Sequence, residues 1–145
     1  CFIYLVMLDE LIDRKSILKA YQQTKGRANL FLSSFGNLET TEVDHFSRLL
    51  NNDIFTLPKS DIQSSGYVIH SLEASFWCLL NSESYKETVL KAVNLGGDTD
   101  TTAAIAGGWA GIHYRMAGIP SEWQHKLVKH SEIVALADKL YDRYY

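Results

Sequence analysis

The chain has 145 residues, of which 46% are apolar, 12% aromatic and 21% charged, with a formal net charge of −3. That composition belongs to a globular domain with enough material for one core, and it excludes a disordered chain. No basic block occurs, which excludes nucleic acid as a main partner. The two cysteines, Cys1 and Cys78, form no disulfide framework and give no sign of secretion, so a cytoplasmic protein is expected.

The chain opens on "CFIYLVML", an apolar run of eight. It is too short to span a bilayer and lacks the basic flank and cleavage site of a signal peptide, so no membrane partner is expected. With no methionine and no capping residue before it, it reads as a buried helix entered partway, in a chain that is a portion of a longer polypeptide. Helical spacing continues to about residue 21, with Leu5, Leu8, Leu11, Ile12, Leu18 and Tyr21 as inward candidates. A second helix is expected from Thr41, with Val43, Phe46, Leu49 and Leu50 on one face. Residues 51–66 hold Pro58, several serines and Gly66, and read as an irregular connection.

From Gly66, "GYVIHSLEASFWCLLN" has helical spacing, with Ile69, Leu72, Phe76, Leu79 and Leu80 facing the core. Ser84 and Glu87 stand in capping-box register before a helix carrying Val89, Ala92 and Val93, which Gly96 is suited to stop. A helix of small residues follows over 99–117, closed by Gly118. Pro120 and Ser121 open another, and a last helical stretch runs from Ser131 through Ile133, Leu136, Ala137, Leu140 and Tyr141. No strict apolar/polar alternation, repeat or linker occurs. The fold class is all-α, with residues 1–145 in one domain.

The chemistry concentrates in "NLGGDTDTTAAIAGG" at residues 94–108. Asp98 and Asp100 are two carboxylates one residue apart at the head of a helix, where they repel unless a cation or backbone N–H groups intervene. One aspartate suffices to cap a helix. With Thr99, Thr101 and Thr102 there are five side-chain oxygens in five residues, a donor set that suits Mg²⁺, Ca²⁺ or Mn²⁺. Spacing alone leaves capping and metal binding both open. An EF-hand loop is excluded because Ala103 and Trp109 stand where it needs glycine and glutamate. A dehalogenase-type Asp-x-Asp-x-Thr is excluded because helical spacing, not a strand, precedes it. Ala103, Ala104, Ala106, Gly107, Gly108, Ala110 and Gly111 then crowd one helix. Each internal glycine costs about 1 kcal/mol, so close approach of neighbouring backbones is expected in return.

The segment "AVNLGGDTDTTAAIAGGWAG", with "SSGYVIHSLEASFWCLL" before it and "GIPSEWQHKL" after it, resembles the C-terminal signature of the ADP-ribosylglycohydrolases. The resemblance implies a compact orthogonal multi-helix bundle holding two divalent cations, Mg²⁺ or Mn²⁺, at the bottom of an ADP-ribose cleft. Carried over by position, Asp98, Asp100 and Thr101 are metal ligands. Gly96 and Gly97 let the backbone turn beside the site, and Ser65, Gly66 and Tyr67 line the substrate cleft. The implied reaction is removal of ADP-ribose from modified protein side chains, the ions holding the distal ribose and a water near the anomeric carbon. The family also carries a Thr-Asp-Asp motif in an N-terminal half, and no such motif occurs here. Half of the metal shell is therefore expected from a missing N-terminal half or another copy of the chain. The alternative is a non-catalytic metal- or ADP-ribose-binding module, or a crystallin-like structural protein.

The histidines at 45, 70, 113, 125 and 130 show no metal-ligand spacing and read as structural or surface residues, with His70 alone near the presumed cleft. Glu73 reads as salt-bridged or solvated rather than as an acid supporting the metal ligands. Trp109 and Trp123 read as packing residues, and Cys78 as a small buried one.

Overall fold

A computed structural model describes residues 1–13, 15–34 and 43–144. Among these residues the regular structure is helical: α1 (Phe2–Ile12), α2 (Ile17–Ser34), α3 (Ser47–Asn51), α4 (Val68–Leu80), α5 (Tyr85–Val93), α6 (Thr99–Gly118), α7 (Ser121–Lys126) and α8 (His130–Tyr144). Two 3₁₀ turns, Ile54–Thr56 and Lys59–Asp61, lie in the connection expected to be irregular. None of the described helices is long and apolar enough to cross a membrane.

The helix expected over residues 2–21 is two helices. Ser16 accepts a hydrogen bond from the Lys19 N–H at 3.3 Å and its carbonyl takes the Ala20 N–H, so it caps a new start. Of the expected inward positions, Leu11 and Tyr21 are buried and Leu8 is half-buried, whereas Leu5, Ile12 and Leu18 are exposed; Ile3, Val6 and Met7 fill the core instead. α2 continues to Ser34 on a narrow stripe of Ala20, Tyr21, Thr24 and Ala28 against α1. Small residues carry that contact, so the apolar pattern does not announce it. Between α1 and α2, the buried Glu10 is held by Lys15 and, at 2.8 Å, by Arg27.

Thr41 lies outside the described residues. Beyond it, Leu49 and Leu50 of α3 are buried, and Val43 and Phe46 half-buried. Tyr21, fully buried, donates to the carbonyls of Leu49 (3.2 Å) and Asn52 (3.1 Å) and accepts from the Ile54 N–H (3.3 Å). One phenol, its single proton shared between two carbonyls, thus engages three backbone groups of a segment with no ladder of its own. Burial pushes its pKa up to about 12.

Helix α4 is the centre of the fold, packed against α5 and α6, and buried on nearly every side rather than on one face. Its polar residues are therefore bonded internally. Ser75 donates to the carbonyls of Ser71 (2.6 Å) and Thr102 (3.1 Å), and Trp77 donates to Leu57 at 2.9 Å. Phe76 and Trp109 join α4 to α6, ring centroids 4.3 Å apart. Cys78 is buried and burial pushes its thiol up to about 12; both cysteines are free.

At the start of α5, Ser84 accepts from the Glu87 N–H at 3.1 Å, while the Glu87 carboxylate reaches back to the Glu83 N–H at 2.8 Å, one residue earlier than in a capping box. α5 ends at Val93. The left-handed positions are Gly96 (φ 84°) and Gly97 (φ 68°). α6 then packs on α5, α4 and α1 and kinks at Arg115 (φ 60°, ψ 179°). The glycines of α6 meet side chains rather than neighbouring backbones, which corrects the expectation from sequence. A Cβ at Gly107 would stand 3.5 Å from Val89, one at Gly108 2.5 Å from the Tyr4 hydroxyl, and one at Gly111 3.9 Å from Tyr85. No residue of α8 is buried, and Ile133, Leu136, Leu140 and Tyr141 are exposed.

Candidate functional site

The site forms where the segment before α4 meets the segment before α6. These two loops, some thirty residues apart in sequence, are laced through Ser64. Its carbonyl accepts the Asp98 N–H at 2.7 Å and its hydroxyl donates to the Gly96 carbonyl at 2.9 Å. Gly97 is obligatory twice over: its φ of 68° suits glycine, and a Cβ there would run into the Ser64 carbonyl. Ser64 is a contact that the sequence reading missed; its only signal is its place beside Ser65 and Gly66.

Gly66 brings the two groups of candidate residues together. A Cβ on it would lie 3.2 Å from Asp98 Oδ2. The bare glycine therefore leaves room for a carboxylate at the base of the expected substrate loop. Asp98 is the N-cap of α6 by position, but its side chain makes no capping hydrogen bond. Interaction with the Asp98 carboxyl, and then with the backbone N–H groups of Asp100 and Thr101, holds the Asp100 carboxyl below the ordinary range. Two carboxylates one residue apart at a helix head, one of them not used as a cap, are a donor set of the kind that would suit a hard divalent ion.

Thr101 is exposed beside the pair, and Thr99 half-buried. Thr102 is not available to a ligand: it is fully buried between α4 and α6, its carbonyl accepting from Ser75 and its hydroxyl oxygen without a partner. Among the described residues, no three His, Cys, Asp or Glu side chains converge as a metal cluster.

On either side of Gly66 in the chain, Ser65 and Tyr67 are exposed. Ser65 Oγ lies 2.8 Å from His70 Nδ1 and accepts the Tyr67 N–H at 3.3 Å, and its carbonyl accepts from Ser71 at 3.1 Å. The His70 and Tyr67 rings meet edge to face, centroids 5.1 Å apart. Glu73 is buried and ion-paired to Arg48 at 3.4 Å; burial raises its pKa against the pull of Arg48 and His70. An apolar groove of about 540 Å³ is lined by Tyr4, Leu5, Val68, Leu72, Ala104 and Ile105. His113 lies apart, beside Leu11, Ile12, Ile112 and Arg115. Trp109 is fully buried, and Trp123 packs on Tyr85 at 6.1 Å.

The described residues thus form helices that set an aspartate pair at a helix head against the glycine of a Ser-Gly-Tyr loop. The family model of the ADP-ribosylglycohydrolases matches residues 1–145, and the chain belongs to that family. It is 42% identical over 85 residues to ADP-ribosylarginine hydrolase Tri1 of Pseudomonas putida, covering 59% of this chain and 23% of that protein. It is 38% identical over 65 residues to the ADP-ribosyl-[dinitrogen reductase] glycohydrolase of Rhodospirillum rubrum, covering 45% and 22%. With human ADP-ribosylhydrolase ARH3 it shares 40% identity over 58 residues, covering 40% and 16%. The matched segment thus spans less than a quarter of the length of these relatives.

Proposed function

We propose that these residues supply one wall of the active site of a hydrolase that removes ADP-ribose from modified protein side chains. The observation that carries this reading is the Asp98 carboxylate, free of the capping role and lying against Gly66. Asp98, Asp100 and Thr101 would hold divalent cations, Mg²⁺ or Mn²⁺. Ser65, Gly66, Tyr67, Gly96 and Gly97 would face ADP-ribose. Bound ions of this kind acidify a water and polarise sugar oxygens. The work of the chain is to hold the two carboxylates together on a packed helix, to leave space beside Gly66, and to offer the hydroxyl and phenol of the loop to the ligand.

The acids that complete the metal shell would come from a segment bearing the Thr-Asp-Asp motif or from another copy of the chain. Exposed apolar positions such as Leu5 (59%) and Val68 (65%) give such a partner a surface to cover. We place the protein in the cytoplasm on the strength of its two unpaired cysteines. That only two acids converge here among the described residues favours a second reading, a module that binds metal or ADP-ribose without turnover.

The deciding experiment measures Mn²⁺-dependent release of ADP-ribose from an ADP-ribosylated arginine protein. The 145-residue chain is compared with one supplied with an N-terminal half carrying the Thr-Asp-Asp motif, each beside its Asp98→Ala control. Release only by the completed protein, lost in the variant, supports the hydrolase. Mn²⁺ and ADP-ribose binding without release by either supports the binding module, and neither binding nor release refutes both.

A further inference from the structure

Ser65 and Tyr67 flank Gly66 and are both exposed, yet neither is free to wander. One imidazole, in the first turn of α4, engages them both: His70 Nδ1 meets Ser65 Oγ at 2.8 Å, and its ring edge packs on the Tyr67 ring at an interplanar angle of 84°. The Tyr67 N–H closes the triangle onto the same Ser65 oxygen. Ser65 Oγ and His70 Nδ1 share one hydrogen bond, its proton lying on either partner according to the imidazole tautomer. Glu73, one turn further along α4 and fixed by Arg48, lies within electrostatic reach of the ring.

We propose that His70 is a positioning residue for ADP-ribose recognition, ordering the Ser65 hydroxyl and the Tyr67 ring before the ligand arrives. The proposal rests on the reading of that loop as the ADP-ribose wall. Ordering two exposed side chains in advance removes an entropic cost from binding and leaves the aspartate pair untouched. His70→Ala therefore raises KM and weakens binding while kcat changes little.

The test measures ADP-ribose affinity by titration calorimetry in the full-length protein, for wild type, His70→Ala, His70→Asn, Ser65→Ala and the Ser65/His70 double alanine variant, alongside ¹⁵N NMR of the His70 ring. Loss of one such hydrogen bond predicts affinity about tenfold weaker in His70→Ala. His70→Asn keeps a hydrogen-bonding group near the Nδ1 position and recovers most of the loss. The double variant binds no worse than the weaker single one. The Nδ1 resonance shifts in Ser65→Ala. Wild-type affinity in His70→Ala, or an Asn variant no better than Ala, overturns the proposal, as does a ring indifferent to Ser65→Ala. If the wild type itself does not bind ADP-ribose, the functional reading falls, and the NMR response alone decides whether His70 orders the loop.

Discussion

The carboxylate of Asp98 and the bare α-carbon of Gly66 face each other so closely that a methyl group on the glycine would stand 3.2 Å from Asp98 Oδ2. The obstacle is the end of a short side chain rather than backbone, so Gly66→Ala is expected to fold, with a stability change within about 0.5 kcal/mol. It displaces the carboxylate by a few tenths of an ångström. If Asp98 and Asp100 bind Mn²⁺, the rise in Tm that the ion produces in wild type should shrink in Gly66→Ala and vanish in Asp100→Asn. An undiminished rise in both variants would remove the metal from this site.

The two left-handed glycines separate cleanly. Gly96 has open space where a Cβ would go, so alanine there carries only the backbone cost, about 1 kcal/mol. Gly97 carries that cost and a collision with the Ser64 carbonyl, so Gly97→Ala should lose about 2–3 kcal/mol. Urea denaturation of the two variants gives the order, and equal losses would mean that the 64–98 lacing is dispensable.

The α6 glycines should split in sign. At Gly111 an added methyl makes an ordinary contact with Tyr85, and Gly111→Ala gains up to about 1 kcal/mol of helix propensity. At Gly108 it meets the Tyr4 hydroxyl, on a ring stacked 5.3 Å from Trp109, so Gly108→Ala should cost about 1–3 kcal/mol. Thermal melts of both variants check this, and two stabilised proteins would show that Tyr4 yields freely.

Glu10 links stability to pH. Burial is the largest influence and opposes its charge, but hydrogen bonds and charge from Lys15 and Arg27 together outweigh it and hold the carboxyl below its ordinary 4.5. Its contribution is therefore fully present above about pH 4.5 and is lost as pH falls through the lower folded-state value. Glu10→Gln should cost about 1–2 kcal/mol at pH 7, discounted because Arg27 is half exposed. The gap to wild type should close at lower pH. Glu73, raised by burial, contributes with the opposite sign, so the comparison is between variant and wild type at each pH.

What the sequence determined by itself is local. Helical spacing marked α4 through α8, the Ser84–Glu87 pair marked the start of α5, and "GGDTDTT" marked both the turn and the carboxylate pair, because each signal is complete within one or two turns of chain. The division of α1 from α2 was also written locally, in Ser16, but eight apolar residues in a row masked it. Tertiary structure decided the rest. It sent Thr102 into the core between α4 and α6 while leaving Thr101 in solvent, and set the α6 glycines against Tyr4, Val89 and Tyr85. It also laid Ser64 across Gly97 and Asp98 so that Gly66 opens onto the carboxylate. These adjacencies join positions from 18 to 104 residues apart. They follow from which faces of α1, α4 and α6 are buried together, and periodicity in one segment carries no record of the segment it will meet.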